Sequence, residues 1–322
     1  MRYRNLVLLA LLCLFLSGCA AHHGDPTETA DFTGWLNMNT EFPATNSLPE
    51  GDGKPAKVIV LLGQSNATGC SLISYLEQGM SKAEFEQLRR GFDSVRINFC
   101  VDDHTNSSQG EFRPVDLTCG SSEGRFGPEV GMAQVLAQAY PDEPVFILKY
   151  TMSGYSLHHH WLRQRQRGSI YDACMEFVGT YMDYLRLKNY DASIGAICWM
   201  QGESDTTEFK AAQYLETQKA FMAYLRQDLA AYAEDGGIYF IDAGISNSPY
   251  CEPGYPQINE AKEQISLLSP MHRYFSPIDA GFTIHLEPEG DPDWGHYDAL
   301  CELELGRIFG RQVVQSYLDR EN

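Results

Sequence analysis

Basic residues are scarce in this sequence: 24 lysines and arginines stand against 43 aspartates and glutamates, a formal net charge of −19. Such a surface disfavours nucleic acid and anionic lipid as direct partners and fits a solvated enzyme acting on a neutral substrate. There is no Cys-x-x-Cys, which argues against a zinc ribbon or a thioredoxin-type centre. The apolar run Leu6 to Leu16 is too short to span a bilayer comfortably. No internal repeat and no second domain are visible, and the stretch from residue 55 onward is sized for one large α/β domain.

The two ends of that apolar run give it a meaning. Arg2 and Arg4 precede it and Leu16-Ser17-Gly18-Cys19 follows, a tetrapeptide that resembles a bacterial lipobox. The resemblance implies that residues 1–18 are a lipoprotein signal peptide and that Cys19 is lipidated, so the protein would be anchored to the bacterial cell envelope without spanning the membrane. Ala20 after the cysteine leans toward the outer membrane if the host is Gram-negative. Loss of the leader removes two arginines and no acids, leaving −21. Residues 19–54 are rich in Gly, Pro, Thr, Asn and acids and read as a tether, with Phe32, Trp35, Leu36 and Phe42 as apolar exceptions that could fold back.

Seven cysteines lie beyond Cys13 and Cys19, an odd number in a compartment that permits disulfides. Cys198 sits inside an apolar run and is expected as a free core thiol. Cys100 with Cys119, and Cys251 with Cys301, are plausible pairs.

Five apolar or β-branched segments, near 58–62, 95–99, 145–150, 194–200 and 238–241, alternate with stretches of helical spacing near 71–91, 126–140, 171–187, 207–234 and 297–318. The alternation predicts an α/β three-layer α/β/α sandwich on a five-stranded parallel sheet. Residues 101–124 are polar and Gly/Ser-rich, long enough to suggest a functional or disulfide-pinned loop.

Lys57 to Leu62 breaks abruptly into Gly63-Gln64-Ser65-Asn66-Ala67-Thr68-Gly69, the look of a buried strand surfacing at the carboxyl edge of a parallel sheet. A second strand surfaces into Trp199-Met200-Gln201-Gly202-Glu203-Ser204-Asp205, and Asp293-Trp294-Gly295-His296 precedes the last helix. In that order these blocks resemble the SGNH-hydrolase superfamily, a flavodoxin-like fold. Within it, the chain is most similar to carbohydrate acetylesterases of the sialate O-acetylesterase-like type, carbohydrate esterase family six. The resemblance covers roughly residues 55–318.

The resemblance implies a serine esterase that removes O-acetyl groups from a glycan. Ser65 would attack the ester carbonyl, His296 would act as base and then acid, and Asp293, one helical turn before it, would fix the imidazole tautomer. It also implies an oxyanion hole of three donors: the N–H groups of Ser65 and Gly154 and the side-chain amide of Gln201. Related esterases often show Gly-Gly where this chain has Ser153-Gly154. Asn66 is expected to stabilise the nucleophile turn, and Glu203 and Glu129 to support the site; a Ser-His-Glu arrangement through Glu203 is the other reading. Arg125 is left without a role.

No metal or organic cofactor is implied. His158, His159 and His160 are consecutive and cannot converge on one ion, while His285 is placed at the rim. Gly120-Ser121-Ser122-Glu123-Gly124 matches Gly-x-Ser-x-Gly, but a proline and an acid interrupt the preceding run and Gly127-Pro128 the following one, against a nucleophile elbow. The alternatives are a lysophospholipase or thioesterase of the same superfamily, and a glycan-binding lipoprotein without catalysis.

Overall fold

A computed structural model describes residues 36–163 and 169–321. The leader, Cys19, Phe32 and Trp35 lie outside the described residues.

The sheet is built from β1 (Pro55–Gly63), β2 (Phe92–Val101), β3 (Val145–Thr151), β4 (Asp191–Met200), β5 (Tyr239–Ala243) and β6 (His272–Phe275), in the order β2-β3-β1-β4-β5-β6. Every pairing among these six is parallel. Two short antiparallel pieces, Asn106–Ser107 and Arg113–Val115, add to the outer side of β2. All five expected strands are present; β6 is an addition. Its four residues, His-Arg-Tyr-Phe, are only half-buried at the sheet edge and give no apolar run to read.

The helices are α1 (Ile73–Gly79), α2 (Lys82–Arg90), α3 (Glu129–Ala139), α4 (Ile170–Leu187), α5 (Glu208–Asp228), α6 (Tyr255–Ser266) and α7 (Ala299–Glu321). The expected helix over 71–91 is two, because Ser81 and Glu84 form a capping box that starts α2 afresh. Successive β3 residues show the layering. Lys149 reaches Glu129 at the start of α3, while the Tyr150 ring meets Phe177 of α4, so the two helices cover opposite faces. α7 lies against α3 so closely that a Cβ on Gly306 would stand 1.8 Å from the Pro128 carbonyl oxygen. That fit fixes the start of α7, three residues after His296.

The carboxyl ends of β1 and β4 carry two of the three sequence blocks to one edge of the sheet, where parallel α/β sheets receive ligands; the turn after β3 brings Ser153-Gly154 there, and hydrogen bonds to Asn66 bring in residues 295–297. A Cβ on Gly63 would fall 1.9 Å from the Met200 carbonyl oxygen, and its φ is 146°, so only glycine lets the ends of β1 and β4 come this close.

From residue 36 to 54 the expected tether lies against the domain. Phe42 is buried between the His104 ring, stacked at 5.1 Å, and the edge-on ring of Phe177 at 5.3 Å. Met38 and Leu48 are buried beside it, and the Thr45 N–H donates to Gly110 O at 3.0 Å. Burial of three apolar side chains outweighs the entropy that a polar composition would otherwise keep.

The seven described cysteines are free thiols, which corrects both expected pairings. Cys119 is a buried residue of the 101–124 loop, and burial pushes its thiol and that of Cys100 up to about 12. Cys251 accepts a hydrogen bond from the Ser248 hydroxyl, whereas Cys301 meets Thr283. The loop is pinned by other means: Asn106 donates to Gly120 O at 2.7 Å and Lys149 to Cys119 O at 2.8 Å.

Candidate active site

Ser65 opens a four-residue helical turn, Ser65–Thr68, at the tip of β1. As the first N–H of a helical turn, its backbone donor has no partner among the described residues. The turn is held at its far end by Lys149, whose ammonium donates to Thr68 O at 2.8 Å and to the Glu129 carboxylate at 2.6 Å, with both side chains fully buried. Glu129 thus supports the site through Lys149.

Asn66 joins the three blocks. Its amide donates to Glu203 Oε1 at 2.7 Å and to Gly295 O at 3.3 Å, and its Oδ1 accepts from the Tyr297 N–H at 3.3 Å. The residue after Ser65 is therefore bonded to both neighbours of His296. His296 Nδ1 lies 2.7 Å from Asp293 Oδ2, and Asp293 Oδ1 accepts from the Gly295 N–H. Burial works against ionisation of Asp293, but the His296 hydrogen bond and charge, with help from Gly295 and Arg125, hold its carboxyl below the usual range. Asp293 is an anion poised on Nδ1, leaving Nε2 as the imidazole's other ring nitrogen.

Glu203 Oε1 is engaged by Asn66, and burial raises its carboxyl above the ordinary value against the pull of that bond. The carboxylate bonded to His296 Nδ1 is that of Asp293.

Gly154 stands exposed in the turn after β3 with φ 78°, and nothing lies within 4 Å of where its Cβ would be. The neighbouring Ser153 N–H is taken by Asp102 Oδ1 at 2.6 Å, which orients the peptide and leaves the Gly154 N–H without a partner among the described residues.

Gln201, expected as the amide donor of the oxyanion hole, is 0 % exposed. Its Nε2 donates to Asp205 at 2.6 Å, Gln64 Oε1 at 3.2 Å and Tyr155 O at 3.3 Å, while the Tyr214 hydroxyl donates to its Oε1. In this arrangement the amide ties the end of β4 to Asp205, Gln64 and the turn after β3.

Asp205 also accepts the N–H groups of Leu157 and His158 at 2.7 and 3.1 Å, holding the turn Leu157–Trp161 that carries the histidine triplet. Burial, then the charges of His159 and Lys210, lowers His160 to about 4. Among the described residues no cluster of His, Cys, Asp or Glu is placed to hold a metal. Ser122 is exposed in a bend with no helix after it, so the rival Gly-x-Ser-x-Gly block forms no elbow.

Sequence reasoning misses Gln64, Asp102, Lys149 and Asp205. Lys149 carries a readable signal, a lone cation inside an apolar strand that has to find a buried acceptor.

A family model described as "Carbohydrate esterase, sialic acid-specific acetylesterase" matches residues 55–315. The chain belongs to this family. It is a hydrolase acting on acetyl esters. No curated protein matches the chain. Among solved structures, NanS superposes with a TM-score of 0.58 at 14% identity, covering 84% of this chain and 99% of that one. A protein from Arabidopsis thaliana gives 0.56 at 17%, covering 81% and 98%. A carbohydrate acetylesterase from Xanthomonas citri gives 0.52 at 15%, covering 80% of this chain and 55% of that longer one. These likenesses establish a shared fold. In this sialic acid-specific acetylesterase family member, the family match spans all three blocks.

Proposed function

We propose that this family member removes O-acetyl groups from a glycan by a serine mechanism. Ser65 Oγ attacks the acetyl carbonyl as His296 Nε2 takes its proton, and the N–H groups of Ser65 and Gly154 receive the oxyanion. The imidazolium, steadied by Asp293, then protonates the departing sugar oxygen, leaving an acetyl-enzyme and a free hydroxyl. Water, deprotonated by His296, releases acetate and restores Ser65.

The observation that carries the reading is the Asn66 tie: the 2.7 Å Asp293–His296 pair is bonded through Gly295 and Tyr297 to the residue next to Ser65. Gln201 and Glu203 hold that arrangement without touching the reacting atoms. A lipid-anchored location in the bacterial cell envelope, through Cys19, is part of the proposal and is supported by the lipobox-like Leu16-Ser17-Gly18-Cys19.

The test is hydrolysis of a short acetyl ester and of acetylated saccharides by the soluble domain, compared with Ser65→Ala and Ser122→Ala. Loss only in folded Ser65→Ala supports the mechanism. Full activity in Ser65→Ala sinks it, and a folded parent inert on every acetylated sugar removes the glycan.

A further inference from the structure

Trp294 lies between the two members of the Asp293–His296 pair, and it is 40 % exposed although it is the largest apolar side chain in its loop. One face of the indole is covered by the His285 ring, stacked at 5.9 Å and 17°. The side chain offers solvent a ring face and an indole N–H donor together.

The loop that carries it is braced on both limbs. Asp298 Oδ1 accepts the N–H groups of Leu286 and Glu287 at 3.2 and 3.0 Å, Glu287 O accepts from the Asp293 N–H at 2.9 Å, and the Glu287 carboxylate accepts from the Ala299 N–H at 2.7 Å. The Tyr75 hydroxyl accepts the Glu289 N–H at 2.8 Å. A half-exposed tryptophan on so ordered a loop loses little freedom when it is covered.

Position selects the occupant. His296 must reach the leaving sugar oxygen to protonate it, and the Cα of Trp294, two residues away, lies within about 7.6 Å of the histidine's. The saccharide ring that bears the departing oxygen therefore comes within reach of this platform. Pyranose rings present a C–H face that packs on aromatic rings and hydroxyls that accept from an indole N–H.

We propose that Trp294, backed by His285, is the stacking platform for the saccharide ring carrying the acetyl group, and so sets preference for acetylated sugars over simple acetyl esters. The proposal rests on the esterase reading above. Trp294 is a positioning residue: it touches the leaving sugar, not the reacting carbonyl.

The test compares kcat/KM on an O-acetylated sialic acid and a partially acetylated xylo-oligosaccharide with kcat/KM on an aryl acetate, for the parent, Trp294→Ala, Trp294→Phe and His285→Ala. The ratio of saccharide to aryl acetate is expected to fall about tenfold in Trp294→Ala, through KM, to recover in Trp294→Phe and to fall less in His285→Ala. An unchanged ratio overturns the platform, whether both rates fall together because the Asp293–His296 turn was disturbed or neither falls. Calorimetric binding of the same two saccharides to Ser65→Ala separates the two readings. If the parent never turns the sugars over, binding to Ser65→Ala that Trp294→Ala weakens about tenfold keeps the platform and sinks the glycan esterase. Absence of both binding and turnover overturns the platform, while Ser65-dependent aryl acetate hydrolysis leaves the esterase mechanism standing.

Discussion

Replacing Lys149 by methionine should test whether the nucleophile turn depends on a charge buried beneath it. The ammonium is fully enclosed and donates to Thr68 O, Cys119 O and the Glu129 carboxylate, so the substitution strands one carboxylate and two carbonyls. Removing one partner of such a pair costs about 3–5 kcal/mol, a large share of the roughly 5–15 kcal/mol that holds a domain together. The loss should depend on pH. In the parent, burial pushes the Glu129 carboxyl up and Lys149 opposes it; without Lys149 it rises further. A group whose folded pKa is raised contributes stability below its unfolded value and loses it as pH climbs through the folded value. The Lys149→Met deficit should therefore be largest near neutrality and shrink toward about pH 4, where the carboxyl is protonated folded or unfolded. Urea unfolding of Lys149→Met, Glu129→Leu and the double variant measures this. The double variant should regain about 2 kcal/mol over the Lys149→Met single by removing the stranded charge. A single variant within about 1 kcal/mol of the parent, or a deficit that grows as pH falls, would refute the reasoning.

Other expectations follow from the same geometry. Asp293→Asn keeps the hydrogen-bonding shape but loses the anion on His296 Nδ1, and kcat on an acetyl ester should fall on the order of a thousandfold or more with little change in unfolding midpoint. Asn66→Ala unties Glu203 from the 295–297 turn, so kcat should drop with stability falling by about 1–3 kcal/mol; an unchanged kcat would show that the tie does not position His296. Gln201→Glu sets a second carboxylate against Asp205 and should lower the unfolding midpoint more than Gln201→Met does. A thiol reagent should label Cys301 first in the native protein, because the other six described thiols are buried, and all seven without reductant once the chain is unfolded. Fewer than seven would mean that a disulfide forms.

Five strands and the edge on which the chemistry gathers are legible in the sequence, because an apolar run that breaks into Gly, Ser and Gln is how a buried parallel strand ends at its carboxyl edge. β6 and α6 are not. β6 is half polar, and α6 begins at Tyr255-Pro256 with its buried face spread over Ile258, Ala261, Lys262 and Ile265, one of them a lysine that looks solvated until Asp242 is found 2.6 Å from its ammonium. In residues 36–54 Phe42 is legible as an apolar residue able to fold back, but Met38 and Leu48 are not, and the rings that receive Phe42, His104 and Phe177, come from distant parts of the chain.

In the candidate site the sequence exposes the residue types but not which of them face the ligand. Gln64, Gln201, Glu203 and Asp205 occupy two blocks of similar polarity, and the sequence alone leaves each of them available to substrate. Their hydrogen bonds divide the roles: Gln64 Oε1 takes the Gln201 amide and the Ser204 N–H, Asp205 takes Gln201 and two backbone groups, and Glu203 takes Asn66. Each side chain is used to hold another strand end. Among the described residues the backbone N–H groups of Ser65, at the start of a helical turn, and of Gly154, at φ 78°, have no partner. The proposed mechanism uses those two amides for the oxyanion, and on that reading the side-chain polarity around them serves to fix the ends of β1, β3 and β4 relative to one another.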